Sequence, residues 1–247
     1  MPVVVERYTL TSLDEIASVF GATVPDGAVP RFNVAPLQAA PIRTASSLAM
    51  ARWGLLPPWR GHGGKRGPHV LYAPVGSPVG SPVGSIDQVP LLRNAFKAQR
   101  CLVIADGFFV WRRAGKRSAP VWVHPAPDPQ RPDARSRTVG LAGLAATHRD
   151  DGQLSFAIIV GGASPLVASI VAVPGAPPEP DLVAPIAIAR DSYTAWLTGS
   201  RDAARALLAH EPTGWRADPV STWVNAVEHD DPRCIEPLGN PAQGQLF

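Results

Sequence analysis

Short runs of β-branched and aromatic residues recur along the chain, and they predict strands. Seven such runs lie at residues 3–10, 48–53, 101–105, 108–111, 120–124, 138–144 and 156–160. Apolar residues at helical spacing predict helices at residues 90–98, 191–197 (with Asp191 as N-cap) and 201–210. Ser12 and Glu15 have the spacing of a capping box for a further helix that ends near Gly21. The pattern predicts a mixed α+β fold with a curved sheet or barrel.

Composition narrows this prediction. The 247 residues include 22 glycines and 28 prolines, which argues against a helical bundle, while 45% hydrophobic and 17% charged residues are typical of a soluble globular protein. No boundary divides the chain, so residues 1–247 are predicted to form one domain. Residues 61–67 and 125–137 are predicted loops. Residues 74–85, which repeat Pro-Val-Gly-Ser three times, form a predicted flexible loop, and residues 238–247 form a predicted flexible tail.

Charge and cysteine content bear on partners and location. The net charge of +3 and a pI near 9.2 permit a polyanionic partner without requiring one. The two cysteines, Cys101 and Cys234, cannot build a disulfide framework and suit a reducing cytoplasm. No apolar run reaches the roughly 20 residues needed to cross a bilayer, and the N-terminus lacks a signal-peptide pattern. We therefore expect a cytoplasmic protein that has no membrane partner.

The common catalytic and cofactor motifs provide little evidence for a particular activity. Lys65 lies in a glycine-rich segment, but the Gly-Lys-Ser/Thr order of a phosphate loop is absent. The histidines lack metal-ligand spacing, so neither a metal nor another cofactor is predicted. Cys101 and His148 could in principle form a thiol nucleophile and its base, but Cys101 lies in an apolar run, where a buried, inert thiol is the commoner case and is the interpretation favoured here.

Three segments combine aromatic residues with arginine. They read Arg-Phe-Asn-Val-Ala-Pro-Leu-Gln at residues 31–38, Arg-Trp-Gly-Leu-Leu-Pro-Pro-Trp at 52–59 and Arg-Cys-Leu-Val-Ile-Ala-Asp-Gly-Phe-Phe-Val-Trp at 100–111. Such side chains stack on bases and bind phosphates in single-stranded nucleic acid. The alternative interpretation is core aromatics with arginines at the rim.

Together with Arg7-Tyr8-Thr9-Leu10, Ala142-Gly143-Leu144, Ala195-Trp196-Leu197 and Val224-Asn225, these segments resemble the SOS response-associated peptidase (SRAP) family. That family handles abasic sites in single-stranded DNA. The resemblance implies a compact α+β domain with a barrel-like sheet, flanking short helices and a positively charged DNA groove. The DNA-facing positions that it implies are Asn33, Arg52, Trp53, Pro57, Trp59, Arg112 and Arg113.

The family's catalytic residues are not matched. Family members begin Met-Cys-Gly-Arg, and their cysteine condenses with the abasic aldehyde, assisted by an asparagine, a glutamate and a histidine. The corresponding positions here are Val5, Tyr72, Val110 and Asp181. We therefore predict a catalytically impaired monomer that binds single-stranded DNA, whether abasic or intact. Two alternatives stay open: a groove that contacts protein or peptide, and residual crosslinking or lyase activity through the amine of an N-terminal Pro2.

Overall fold

The structure is a computed structural model that describes residues 5–58, 67–76, 84–114, 117–126, 137–173, 175, 182–209 and 214–239, with only the backbone at residues 113, 114 and 117. The described strands are β1 (Val5–Leu10), β2 (Arg31–Val34), β3 (Ala39–Arg43), β4 (Leu48–Trp53), β5 (Tyr72–Pro74), β6 (Arg100–Ala105), β7 (Gly107–Ala114), β8 (Arg117–Pro125), β9 (Val139–Thr147), β10 (Leu154–Gly162), β11 (Val183–Pro185), β12 (Ala187–Ile188) and β13 (Trp215–Pro219). The helices are α1 (Asp14–Phe20), α2 (Pro90–Ala98), α3 (Pro165–Val171), α4 (Tyr193–Thr198) and α5 (Arg201–Leu207). The predicted α+β class is confirmed.

A closed barrel forms the centre of the fold. Strands β10, β4, β3, β6 and β9 pair in that order, and the pairing of β9 with β10 closes the ring. Small residues on β9 permit the close approach of neighbouring strands. A Cβ atom at Gly143, for example, would lie 2.8 Å from the sulfur of Cys101. The predicted barrel-like sheet is therefore confirmed.

A second sheet, with strand order β13-β8-β7-β1-β2, packs against the barrel. Its inner face contributes Val5, Phe108, Val110 and Val123 to the core that it shares with barrel residues such as Phe156. Its outer face is covered by residues 220–235, where Phe109 and Trp122 pack on Val224 and Cys234. Both faces of the sheet are thus buried.

The predicted helices are only partly correct. Helix α2 occupies the predicted residues 90–98, and α1 ends at Gly21, whose φ of 61° is left-handed. The capping box is wrong, because Leu13 is the N-cap of α1 and makes no side-chain cap bond, while the carboxylate of Glu15 accepts a hydrogen bond of 2.8 Å from the hydroxyl of Thr138. Asp191 lies in a 3₁₀ turn before α4 and does not cap it.

Helix α3 was not predicted from the sequence. Ser164 caps it by accepting a hydrogen bond of 3.3 Å from the amide of Val167, and its buried face packs against the core. None of the described helices has the length and apolar character needed to cross a bilayer. The predicted loops lie mostly outside the described residues: 61–66, 77–83, 127–136 and, in the tail, 240–247.

Candidate functional site

The start of β1 lies directly beside β7. Val5 is paired with Val110 across the two antiparallel strands, and both residues are fully buried. Because residues paired across an antiparallel sheet project to the same face, the two valine side chains lie together on the inner face of the second sheet. Two of the four positions that the resemblance assigns to catalysis are therefore neighbours, and both are apolar.

Tyr72 lies on the other side of Val5. Strand β5 is parallel to β10, with Tyr72 opposite Ile158, and the Tyr72 hydroxyl donates a hydrogen bond to the carbonyl oxygen of Val5. The Tyr72 ring meets the indole of Trp53 edge-on, with ring centres 5.9 Å apart. Burial, aided by the charge of Glu6, raises the pKa of Tyr72, so the phenol stays protonated at neutral pH. It is a hydrogen-bond donor here rather than a base.

Mainly apolar side chains, aliphatic and aromatic, surround these three residues. Val5 and Val110 belong to one buried cluster with Val160, Val167 and Val183, and Tyr72 packs against it. The fourth position, Asp181, lies outside the described residues. The three described positions that the resemblance assigns to catalysis thus lie in a mainly apolar contact, and none of the three residues carries a carboxylate or an imidazole.

Asn33 and Trp53, two of the predicted DNA-facing residues, are fully buried. The amide nitrogen of Asn33 donates to the carbonyl oxygens of Val224, Ala226 and His229 at 3.1, 3.0 and 2.8 Å. Asn33 therefore anchors the segment that covers the outer face of the second sheet, and its donors are occupied.

Trp53 is a core residue. Its indole nitrogen donates to the carbonyl oxygen of Leu71 at 3.1 Å, and its ring lies against Tyr8 and Phe156, with ring centres 5.4 and 6.5 Å away. A nucleobase needs an exposed ring face to stack on, and both faces of the Trp53 indole are buried. The alternative interpretation of core aromatics therefore describes Trp53.

In contrast to Asn33 and Trp53, two arginines of the predicted DNA-facing set lie at the surface. Arg52 and Arg112 are exposed, and neither has an acidic partner among the described residues. Arg52 lines a cavity of about 940 Å³ at one mouth of the barrel, together with Gln99 and Thr147, and Arg112 does not. Pro57 is half-buried, while Trp59, the Arg113 side chain and Pro2 lie outside the described part of the chain.

Cys101 and His148, the candidate thiol nucleophile and its base, do not form a pair. Cys101 is fully buried in β6, and burial raises the pKa of its thiol. The Nδ1 atom of His148 lies 3.1 Å from a carboxylate oxygen of Asp151. Over the described ranges there is also no cluster of three or more histidine, cysteine or acidic residues arranged for a metal ion.

Sequence reasoning missed the role of Asp106. This fully buried carboxylate accepts hydrogen bonds from the hydroxyl of Thr9 and from the amide and hydroxyl of Thr11. The indole nitrogen of Trp122 donates to the same Thr9 hydroxyl at 3.2 Å. The Ala-Asp-Gly-Phe motif was the available signal, because an acidic residue inside an apolar segment needs buried donors. Its role in this fold is structural.

The fold is a mixed α and β protein with a closed five-stranded barrel. A second sheet packs on the barrel and places strand β1 beside Tyr72. Residues 5–227 match the family model for SOS response associated peptidase (SRAP), and the chain belongs to this family. The matched range includes Val5, Tyr72 and Val110 as well as the two exposed arginines.

Individual relatives agree with this assignment. The abasic site processing protein YoaM of Bacillus subtilis is 31% identical over 120 residues, 45% of this chain and 49% of that protein. YoqW, also an abasic site processing protein of B. subtilis, is 30% identical over 115 residues, 43% of this chain and 47% of that protein. The chain thus spans about half the length of the curated relatives it matches. A crystal structure of a Bacteroides thetaiotaomicron protein superposes with a TM-score of 0.71 at 17% identity, over 94% of this chain and 99% of that one, and so shares its fold.

Proposed function

We propose that this SRAP protein binds single-stranded DNA but does not form the covalent abasic-site adduct that the family resemblance implies. The observation that carries the proposal is the apolar contact of Val5 with Val110, with Tyr72 hydrogen-bonded beside it. The name of the relatives, abasic site processing protein, supplies the kind of DNA partner.

Chemistry supports the loss of covalent activity. Condensation of an amine or thiol with an aldehyde needs one group that accepts a proton and one that delivers it. Valine side chains do neither, and the Tyr72 hydroxyl is engaged with the carbonyl of Val5. Introducing a charged base at Val110 alone would place it in an apolar, fully buried position, where ionisation is costly.

Electrostatics supports DNA binding. Arg52 and Arg112 present guanidinium groups to solvent without acidic partners among the described residues, and the chain carries a net charge of +3. Exposed arginines bind phosphate without regard to sequence, and single strands add the option of base stacking. With Trp53 in the core, the cationic contacts carry the proposed affinity.

One experiment tests both halves of the proposal. The protein is incubated with a labelled single-stranded oligonucleotide that contains one abasic site, and binding is measured by fluorescence anisotropy across a salt series. We expect log affinity to fall with log salt at a slope of about −0.7 per phosphate contact. A flat salt response, or equal affinity for blunt duplex, contradicts the proposed DNA binding.

The same mixture is then heated and run on a denaturing gel. We expect no shifted band, whereas a family member that begins Met-Cys-Gly-Arg serves as the positive control. A heat-stable band from this protein contradicts the proposed loss of chemistry. A band that needs borohydride would instead indicate an imine or iminium, and weaker trapping in Pro2→Ala, with Met1 shown by intact mass to be removed, would assign it to Pro2.

A further inference from the structure

A cleft of about 680 Å³ lies between the second sheet and the end of β10. One wall is formed by inner-face residues of β7, β8 and β13, and the other by the end of β10, the start of α3, and β11. The described lining residues are Phe108, Val123, Gly161, Gly162, Ala163, Ser164, Pro165, Leu166, Val167, Ala184, Pro185, Ile186, Leu208, Ala209, Gly214 and Trp215. Its volume is within the range of about 300 to 1,000 Å³ that is typical of small-molecule sites.

The two walls differ in bulk. Phe108 and Trp215 form an aromatic pair on the sheet side, with ring centres 5.5 Å apart, and Trp215 is only half-buried. Gly161, Gly162 and Ala163 on the opposite side have almost no side chain. A Cβ atom built on Gly162 meets no other atom within 4 Å, so space is open there. The cleft thus offers an aromatic surface on one wall and open space beside Gly162 on the other.

The described lining of the cleft is uncharged. None of its described lining residues has an ionisable side chain. Its side-chain polar groups are the Ser164 hydroxyl, whose oxygen already accepts from the amide of Val167, and the indole nitrogen of Trp215, which has no partner among the described residues. Such a lining disfavours phosphates and carboxylates, because nothing compensates their desolvation. It suits a ligand with few hydrogen-bonding groups.

We propose that this cleft binds a free, uncharged small molecule that contains a planar aromatic ring. The ring packs against Trp215 and Phe108, and the Ser164 hydroxyl and the Trp215 indole nitrogen donate hydrogen bonds to a neutral acceptor on the ligand. Aromatic contacts of this kind stabilise by about 0.5 to 1.5 kcal/mol beyond the burial of area.

The cleft adjoins the apolar contact described above, because Val167 lines the cleft and belongs to the same buried cluster as Val5 and Val110. Phe108 and Val110 lie on the same face of β7, about 7 Å apart along the strand, but Val5, Tyr72 and Val110 do not line the cleft. Because its described lining holds no cation, a polyanionic strand is not the expected occupant. This proposal therefore stands or fails independently of DNA binding.

The test uses N-phenyl-1-naphthylamine, an uncharged aromatic probe whose fluorescence rises in apolar surroundings. We expect saturable binding at one site, and weaker binding of the sulfonated, anionic analogue. Gly162→Phe fills the cleft and should weaken probe binding by about tenfold or more. Gly76→Phe is the matched control, since Gly76 also has open space at its Cβ position and a φ outside the left-handed region, but lies outside the cleft.

A second measurement does not depend on either variant. Amide chemical shifts of the wild-type protein are followed during titration with the probe, and we expect the changes to centre on residues 161–167 and 184–186. The proposal is overturned if binding does not saturate, if shifts centre elsewhere, if the folded Gly162→Phe variant binds the probe as wild type does, or if single-stranded DNA displaces the probe.

Discussion

The Tyr72 hydroxyl donates a hydrogen bond to the carbonyl oxygen of Val5, and this bond joins the two sheets. Tyr72 belongs to β5, which pairs with barrel strand β10, whereas Val5 belongs to β1 of the second sheet. A position that the family resemblance assigns to catalysis therefore connects two layers of the core in this chain. The same bond accounts for a largely buried phenol at this position, because its one donor is satisfied.

Removing this hydroxyl should destabilise the fold. Tyr72→Phe leaves the ring in place and removes the bond to Val5, so we expect the free energy of unfolding to fall by about 1 kcal/mol, measured by urea denaturation. Tyr8→Phe is the matched control, because the Tyr8 hydroxyl is buried without a hydrogen-bond partner among the described residues. Its loss should leave stability unchanged or slightly higher. Equal losses in the two variants would contradict the role given to Tyr72.

Substitutions at two adjacent residues of β4 should have separate effects, one on stability and the other on DNA binding. Trp53→Ala removes a fully buried ring and should lower the free energy of unfolding by about 3 to 5 kcal/mol. Arg52→Ala changes an exposed side chain, so stability should stay within about 0.5 kcal/mol of wild type, while the salt slope of DNA binding becomes shallower by about 0.7. An Arg52→Ala protein with an unchanged slope would remove Arg52 from the proposed DNA contacts.

His124 should make stability depend on pH. Its ring is buried, Nδ1 lies 2.9 Å from the carbonyl oxygen of Pro125, and Nε2 lies 3.0 Å from Nε of Arg216. Burial lowers the pKa of His124 below its ordinary value of 6.5, and this outweighs the opposing hydrogen bond to Asp218. The unfolded chain then binds a proton that the folded chain does not, so stability is full above pH 6.5 and falls as the pH drops below it.

Urea denaturation between neutral and mildly acidic pH measures this dependence. His124→Gln removes the titrating group and should flatten this part of the profile. The exposed His69 serves as the control, since His69→Gln should leave the acid-induced loss in place. An unchanged profile in His124→Gln would contradict the assignment. The carboxyl of Asp218 acts at lower pH: burial opposes its ionisation, but hydrogen bonds from His124 and Arg216 hold its pKa below 3.8.

Asp106 should be among the most sensitive polar positions. Asp106→Ala removes the acceptor of both Thr11 donors and leaves the Thr9 hydroxyl only the carbonyl oxygen of Gly107, 3.3 Å away, so we expect a loss of about 3 kcal/mol in the free energy of unfolding. Asp26→Ala, at an exposed carboxylate, should change stability by less than about 0.5 kcal/mol. The melting temperatures of the two variants, measured by calorimetry, would show the difference: a large decrease for Asp106→Ala and little change for Asp26→Ala. A small change in Asp106→Ala would show that water replaces the carboxylate.

Local sequence patterns predicted the structure correctly where interactions within the segment itself determine it. Helix α2 was predicted at residues 90–98 because proline at its start and apolar residues at helical spacing act within the segment itself. Gly21 ended α1 as predicted, since its left-handed φ suits a residue without a side chain. The co-ordered motifs were also enough to indicate the SRAP family.

The sequence by itself determined which residues occupy the positions that the family resemblance assigns to catalysis, Val5, Tyr72 and Val110, because residue identity is independent of folding. Only the tertiary structure decided what each side chain contacts. Glu15 looked like a capping residue but bonds to Thr138, which is 123 residues away along the chain. Trp53 looked like a stacking platform but is buried between Tyr8 and Phe156. The β-branched residues of α3 favour strand, yet packing beneath the second sheet stabilises a helix, since long-range burial outweighs weak local propensity.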